Sequence, residues 1–498
     1  MKATSMKRHA VKLSGEYSQS VFTWIITLVL TVIFLSNSFD IKSGDVNWNM
    51  FILSIAYALF MLIQVVITWK VKRDLIRYGE IQNVTRRFGF IQLFSLCTGN
   101  IFTTAFAFSL INKKKTPEYT FAVYMLLTQI FVIAISALNL FKPYVSDTFL
   151  PAMSILIGIA IFYLVALILV IKFVDDTTAS PVMSIIAIVA IITALSGNVF
   201  ALLLGYSLLL KSKSRDRSRI IKWNTMWGKI TRNSTAGMGL LFIILLLTIS
   251  VVSKFTFDYE FAVDNDYGNL LQSPSLAYPL GTDNFGRDLF SRIIFGARIS
   301  LLVGFASTAI PAIIGGFLGA IAGYYSNRTD NIIMRLLDVL YAIPGILLAI
   351  AIIAAFGANT TNLIIALSVG SIPTYARTMR ANVLMVSNYD FVDSARALGT
   401  SDFSIIFKQI VPNSLAPMIV KSTLTIGSAV IATSSLSYLG LGVEPHIPEW
   451  GNILKIGSTY LESHSYLAIF PGLAIIALVL SFNFLGDGLR DALDPKLD

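Results

Sequence analysis

The chain has 498 residues, of which 55% are hydrophobic and 13% charged, and its mean hydropathy is +0.73. Soluble domains carry about 25% charged residues, so this composition excludes a water-soluble globular protein and points to an integral membrane one. The formal net charge of +10 does not mark a nucleic-acid partner, because the basic residues cluster in short loops between apolar segments, as membrane topology requires.

Crossing about 30 Å of hydrocarbon takes about 20 residues of helix. On that measure about twelve segments read as spans, which predicts an all-α integral membrane protein. The first six are roughly 20–38, 50–69, 88–111, 119–141, 149–173 and 181–210. The second six are roughly 235–252, 299–324, 339–356, 361–376, 414–439 and 466–486. Lys2, Lys7, Arg8 and Lys12 precede the first run and no small-residue cleavage site follows it. It reads as a retained span, with a cleaved signal peptide as the alternative. The single cysteine, Cys97, lies in an apolar run and has no internal disulfide partner.

The N-terminal tail, the 70–87 loop and the 211–232 loop are strongly basic and should all be cytoplasmic. Twelve spans then put both termini in the cytoplasm. Lys113, Lys114 and Lys115 object, since this count places them outside. The basic, Ser-rich stretch 211–234 reads as a cytoplasmic linker between an N-terminal extension of about six spans, 1–210, and a six-span domain, 235–498. No repeat relates the two halves.

Chemistry-bearing loops occur only in the second half. In 278–298, YPLGTDNFGRDLFSRIIFGAR, Thr282 or Asp283 is expected to cap a helix with Phe285, Leu289, Ile293 and Phe295 to one side and Arg287, Asp288 and Arg292 elsewhere. Two readings are open: the lining of an external vestibule, or an interfacial amphipathic helix before the next span. The stretch 389–413, YDFVDSARALGTSDFSIIFKQIVPN, is a polar island between apolar runs. Asn388 is expected to cap a first helix with Phe391, Ala395 and Leu398 on one stripe, and Gly399 to end it. Ser401 would cap a second helix carrying Phe403, Ile406, Phe407 and Ile410, with Pro412 in the first turn of the span that follows.

Lys421 lies near one end of the eleventh span, where an ammonium can snorkel to the interface. In 437–454, SYLGLGVEPHIPEWGNIL, Gly440 and Gly442 predict a turn and Trp450 an interfacial anchor. His446 with Glu449 makes two candidate metal ligands, fewer than a site needs. No phosphate loop, H-E-x-x-H or G-x-S-x-G occurs, and mid-membrane charges are scarce. Energy for any transport must come from elsewhere, and no metal site is expected.

Several motifs then fall in one order: PLGTDNFGRDLFSRIIFGARISLLVG at 279–304, GYYSNRTDNIIMRLLDVLYAIPGILLAI at 323–350, the 389–413 hairpin, SYLGLGVEP at 437–445 and FNFLGDGLRDALDP at 482–495. With these, residues 227–498 resemble the permease subunits of ABC importers of the dipeptide/oligopeptide and nickel uptake family. In that family the hairpin is the EAA loop, which docks on the ATPase. Asp393, Ser394 and Ala395 stand at its E-A-A positions, Gly399 at its glycine, and Ile410, Val411 and Pro412 at its ending; Asp for Glu and Ser for Ala are the departures.

The resemblance implies an ATPase-coupling set of Asp393, Ser394, Ala395, Leu398, Gly399, Phe403, Ile406, Phe407, Ile410 and Pro412. It also implies an external loop motif of Gly281, Thr282, Asp283, Gly286, Arg287 and Asp288. The implied protein is a non-enzymatic cell-membrane subunit of a peptide importer. Its partners are a second homologous permease, two ATPase subunits that hold ATP and Mg, and an extracellular solute-binding protein, and it binds no cofactor itself. A self-sufficient secondary carrier of twelve spans is the alternative. Nothing in the resemblance covers residues 1–210.

Overall fold

The computed structural model describes residues 14–39, 46–112, 116–213 and 217–493. Lys2, Lys7, Arg8, Lys12, Lys113, Lys114 and Lys115, named above, lie outside these residues, as do Arg215 of the basic 211–232 loop and the last two positions of the final motif. The described residues form helices and isolated bridges with no strand, as expected where lipid leaves every backbone polar group to be satisfied within its own segment. By packing, the chain divides into one unit of Met1–Phe261 with Asp266–Ser291 and another of Ala262–Asn265 with Arg292–Asp498.

The first unit begins with α1 (Gly15–Ser36) and α2 (Trp48–Tyr78). Buried polar side chains zip these two together: Ser20 and Thr68 share a 2.6 Å hydrogen bond, and Gln64 Nε2 donates to Ser20 Oγ at 3.0 Å. Next come α3 (Asn83–Leu93) and α4 (Ile101–Ile111), 11 residues each. A helix of that length rises only about 17 Å, short of the hydrocarbon thickness. A 3-10 turn at Phe94–Thr98 and Gly99, at φ 76°, reverse the chain between them. Arg86 near the start of α3 donates to the carbonyls of Leu110 and Asn112 at the end of α4, so the pair is a hairpin whose two ends meet, the fold of a re-entrant hairpin.

The same order follows again. α5 (Pro117–Ala137) and α6 (Phe149–Phe173) are long apolar helices, and α7 (Met183–Thr193) and α8 (Val199–Lys213) form a second hairpin. Ser184 and Ser212 share a 2.6 Å hydrogen bond where its ends meet. Its reversal is also a 3-10 turn followed by a left-handed glycine, Gly197. The sequence repeats in register: Glu16 with Glu118, Tyr17 with Tyr119, Asn37 with Asn139, Phe39 with Phe141 and Lys70 with Lys172. In the hairpins, Gly99-Asn100 pairs with Gly197-Asn198, Phe102 with Phe200 and Ser109 with Ser207. The extension is thus a tandem duplication of a module of two spans and a re-entrant hairpin. The basic helix α9 (Arg217–Arg232) and the span α10 (Ser234–Thr256) complete this unit, so packing sets α10 with the extension, whereas composition drew the boundary at 211–234.

The second unit carries α11 (Leu289–Tyr324), α12 (Asn327–Tyr341), α13 (Gly345–Phe356), α14 (Thr360–Val386), α15 (Asp390–Ala397), α16 (Asp402–Tyr438), α17 (Trp450–Thr459) and α18 (Tyr466–Leu493). Gly315, Gly319 and Gly323 of α11 face α14 so closely that a Cβ at Gly319 would lie 2.2 Å from the Ala376 carbonyl oxygen. Small residues at this spacing let two membrane helices meet backbone to backbone. Between α12 and α13 the axis bends by 78°, where Pro344 keeps Ile343 from continuing a helix.

Among the described residues eight helices are long and apolar enough to cross a membrane, or nine if the bent α12–α13 pair is one span. α14, with 27 residues, has the length but is less apolar. The expected twelve are not reached among these residues: 88–111 and 181–210, each read as one span, are each folded back at a glycine, Gly99 and Gly197.

Candidate functional site: a coupling hairpin and a buried external motif

The 389–413 segment forms two helices around a tight turn. α15 ends in a Schellman motif: Thr400 N–H donates to the Ala395 carbonyl at 3.1 Å and Gly399 N–H to that of Arg396 at 2.9 Å, with Gly399 at φ 74°. Asn388 does not cap α15. It donates instead to the Leu384 carbonyl at 2.7 Å, and Tyr389 occupies the N-cap. Ser401 stands at the next N-cap, with no hydrogen bond from its side chain. Beyond it the chain does not break before the membrane. A π turn at Ile406–Ile410 carries it directly into the span, so α16 runs unbroken from Asp402 to Tyr438 through Pro412.

The predicted stripes divide between two surroundings. Val392, Ala395, Ile405, Ile406 and Ile410 are buried against Ala320, Tyr375, Met379, Val383, Val386 and Met418. Phe407 stacks on Phe317 at 5.6 Å. Leu398 and Phe403, by contrast, are 85% and 66% exposed at the turn. Asp393 and Ser394 are also exposed, and Arg396 Nη1 lies 3.4 Å from Asp393 Oδ1. Below the turn, the Tyr324 hydroxyl donates to Asp402 Oδ1 at 2.6 Å. Tyr389 and Phe391 add further exposed apolar surface.

The 279–288 segment is not the helix that its sequence predicts. It is a compact loop in the first unit, with Gly281 at φ 83° and Gly286 at φ 79° and a bridge between Thr282 and Asp288. Only glycine fits at 286, since a Cβ there would lie 1.7 Å from the Asp266 carbonyl oxygen. Neither Thr282 nor Asp283 caps a helix. Thr282 Oγ1 donates to the Asn269 carbonyl at 2.6 Å and accepts from Gln272 N–H at 2.8 Å. Asp283 Oδ1 accepts from the N–H groups of Phe285 and Arg287, while its Oδ2 accepts from Arg287 Nε at 2.8 Å.

The cap is Asp288, which accepts from Phe290 N–H at 3.1 Å and Ser291 N–H at 3.0 Å at the start of α11. Thr282, Asp283, Arg287 and Asp288 are all buried. The expected amphipathic helix over 279–288 is overturned because these polar side chains are buried and hydrogen-bonded within a loop.

A similar correction applies to 437–454. Trp450 is no interfacial anchor; it is fully buried and its Nε1 donates to the Ile293 carbonyl at 2.9 Å. Glu449, also fully buried, caps α17 by accepting from the N–H groups of Gly451 and Asn452, and Ser434 Oγ donates to its other oxygen at 3.1 Å. Burial pushes the Glu449 carboxyl above the usual carboxylate range, against the downward pull of the hydrogen bonds it accepts. Its oxygens are occupied, and among the described residues no group of three or more His, Cys, Asp and Glu side chains is placed to hold a metal.

Within the second unit's helices lies a cavity of about 230 Å³ whose polar lining is hydroxyls, from Ser307, Ser371, Thr425 and Ser428, with Gly345 and Gly370 beside them. Lys421, on the same helix as Thr425 and Ser428, places its Nζ 5.6 Å from the Tyr375 ring. No charged side chain lines this cavity.

Residues 315–498 match the family model described as the binding-protein-dependent transport system inner membrane component. The glutathione transport system permease protein GsiD of Pectobacterium atrosepticum is 44% identical over 283 residues, which are 57% of this chain and 94% of that relative. The protein of the same name from Escherichia coli O157:H7 is 44% identical over 275 residues, covering 55% of this chain and 91% of its own length. An inward-facing structure of the MetNI methionine ABC transporter aligns over 41% of this chain and 97% of that chain, at 19% identity and a TM-score of 0.35, too slight a likeness to assign a conformation. Identity sustained over nearly the whole length of such permeases replaces the self-sufficient carrier: the chain belongs to the binding-protein-dependent transport system inner membrane components, the permease subunits of ABC importers.

Proposed function

We propose that this subunit imports small peptides, glutathione among them, and that 389–413 receives the ATPase. The carrying observation is the pair of exposed apolar side chains, Leu398 and Phe403, at the tip of a hairpin whose second helix is continuous with a span. Exposed apolar surface at one tip is the signature of a docking site. An unbroken α16 converts a push at that tip into movement of the span. Asp393, Ser394, Ala395, Gly399, Ile406, Phe407, Ile410 and Pro412 shape the hairpin or its footing. Two ATPase subunits would hold ATP and Mg, a second permease would complete the pore, and a solute-binding protein would deliver substrate outside. The cavity is uncharged and sets four hydroxyls among Ile346, Leu367, Ala429 and Ala432, a mixed lining compatible with a peptide's amides and apolar side chains.

The topology follows the same reading. Counting the bent α12–α13 pair and α14 as one crossing each beside the eight candidate spans makes the number of crossings even, which keeps both termini cytoplasmic. Residues 235–498 form the six-span permease domain, 211–234 a cytoplasmic linker, and 1–210 the extension.

Leu398→Ser with Phe403→Ser tests the docking claim. The double variant should keep its thermal unfolding temperature but lose copurification with the ATPase subunits and ATP-dependent uptake of glutathione into proteoliposomes. Wild-type ATPase retention by that variant would overturn it.

A further inference from the structure

One buried ion pair ties the extension to the 279–288 motif. Lys142, just beyond α5, places Nζ 2.7 Å from Asp288 Oδ2 and 2.6 Å from Ser291 Oγ, and the two charged side chains are 1% and 0% exposed. The ring of Phe261 lies 4.5 Å from the same ammonium and that of Phe257 5.7 Å. Asp288 is the N-cap of α11, and Ser291 Oγ also donates to its Oδ2 at 2.6 Å. A carboxylate sealed from water at this depth needs a counter-charge, and the one in contact with it comes from the extension.

The surroundings reinforce the link. Ser136 Oγ donates to Thr256 Oγ1 at 3.0 Å, Asn139 Nδ2 to the Thr256 carbonyl at 3.0 Å, and Thr148 Oγ1 to the Phe255 carbonyl at 2.9 Å. Tyr144 stacks on Phe261 at 4.6 Å. At the far end of α10, Ser234 Oγ donates to the Gly15 carbonyl at 3.0 Å. α10 is accordingly the most enclosed of the eight candidate spans, at 72% buried.

We propose that Lys142 is a positioning residue of the importer: the extension supplies the counter-ion that fixes Asp288, and with it the 279–288 loop and the start of α11, in one geometry. The extension is therefore built into this loop and is not a detachable module. Its bearing on transport rests on the permease reading above, but the contact itself does not.

The purified full chain in detergent, followed by hydrogen–deuterium exchange, separates the two. Lys142→Met should speed exchange of the 279–291 amides at least tenfold while leaving the 389–410 hairpin unchanged. Lys142→Arg should stay near wild type. Lys142→Met with Asp288→Asn, which removes both charges and keeps a capping oxygen, should recover most of the protection. An unchanged loop in Lys142→Met, or a double variant no better protected than the single, would overturn the proposal. In the reconstituted complex, glutathione uptake should fall at least fivefold in Lys142→Met and recover in the double variant. A wild-type complex that fails to move glutathione would count against the substrate reading alone, since the exchange result stands without it.

Discussion

The 279–288 loop and the 389–410 hairpin come from two of the ordered motifs of one chain, yet they are built oppositely. The loop is polar and buried, with Asp283 paired to Arg287 and Asp288 held by Lys142, Ser291 and backbone N–H groups. The hairpin tip is apolar and exposed, at Leu398 and Phe403. Inverting the usual assignment of polar to surface and apolar to core costs free energy in both places. In the loop that cost is met by charge pairing and hydrogen bonds, from within the loop at Asp283 and from Lys142 at Asp288. At the hairpin tip, among the described residues, Leu398 and Phe403 stay largely exposed, the feature on which the proposed docking role rests.

The largest expected effect comes from breaking the loop from inside. Asp283→Ala leaves the Arg287 guanidinium buried without its carboxylate and removes acceptors for two N–H groups. Loss of one member of a buried pair costs about 3–5 kcal/mol. Thermal unfolding of the purified subunit should show a clearly lowered midpoint, and a midpoint equal to wild type would refute the pairing. In the hairpin, Gly399→Val places a β-branched residue at φ 74°, at a cost of about 1–2 kcal/mol. Here the larger consequence should be functional: ATP hydrolysis by the complex persists while uptake falls. Normal uptake would remove the turn from the coupling mechanism.

The smallest effect is a pH dependence at Glu449, a second buried polar group of the loop's kind. Burial raises its carboxyl above the 4.5 of an exposed glutamate, so the folded state holds the proton more tightly than the unfolded one. The stability this contributes is full below the ordinary value and lost as pH rises through the raised one. Glu449→Gln should abolish that slope in unfolding midpoints measured from about pH 4 to about pH 8. An identical slope in the variant would assign the dependence to another group.

Much of this was legible in advance. Gly399 after an amphipathic run announces a helix end whatever surrounds it, and the Schellman hydrogen bonds appear at that glycine. The hairpin's place between spans followed from its polarity alone. The re-entrant hairpins were not legible. Thr98-Gly99-Asn100 and Ser196-Gly197-Asn198 sit inside apolar stretches as long as a span, and hydropathy does not distinguish a helix that crosses from two that fold back. The repeat within the first half is faint for a related reason: its matching residues, such as Glu16 with Glu118 and Asn100 with Asn198, are few among interchangeable apolar positions. Trp450 and Asp288 show the same limit, because an interfacial anchor and a buried donor, or an exposed charge and a cap, are spelled by the same residues.

Sequence by itself determined the membrane class, the family and the position of each motif, because these depend on composition and on residues at fixed short spacing. Tertiary structure alone decided which apolar stretches cross and which polar side chains are buried, and that Lys142 answers Asp288. Those outcomes rest on pairings between residues far apart in the chain, whose energies arise only when packing excludes water from both partners at once.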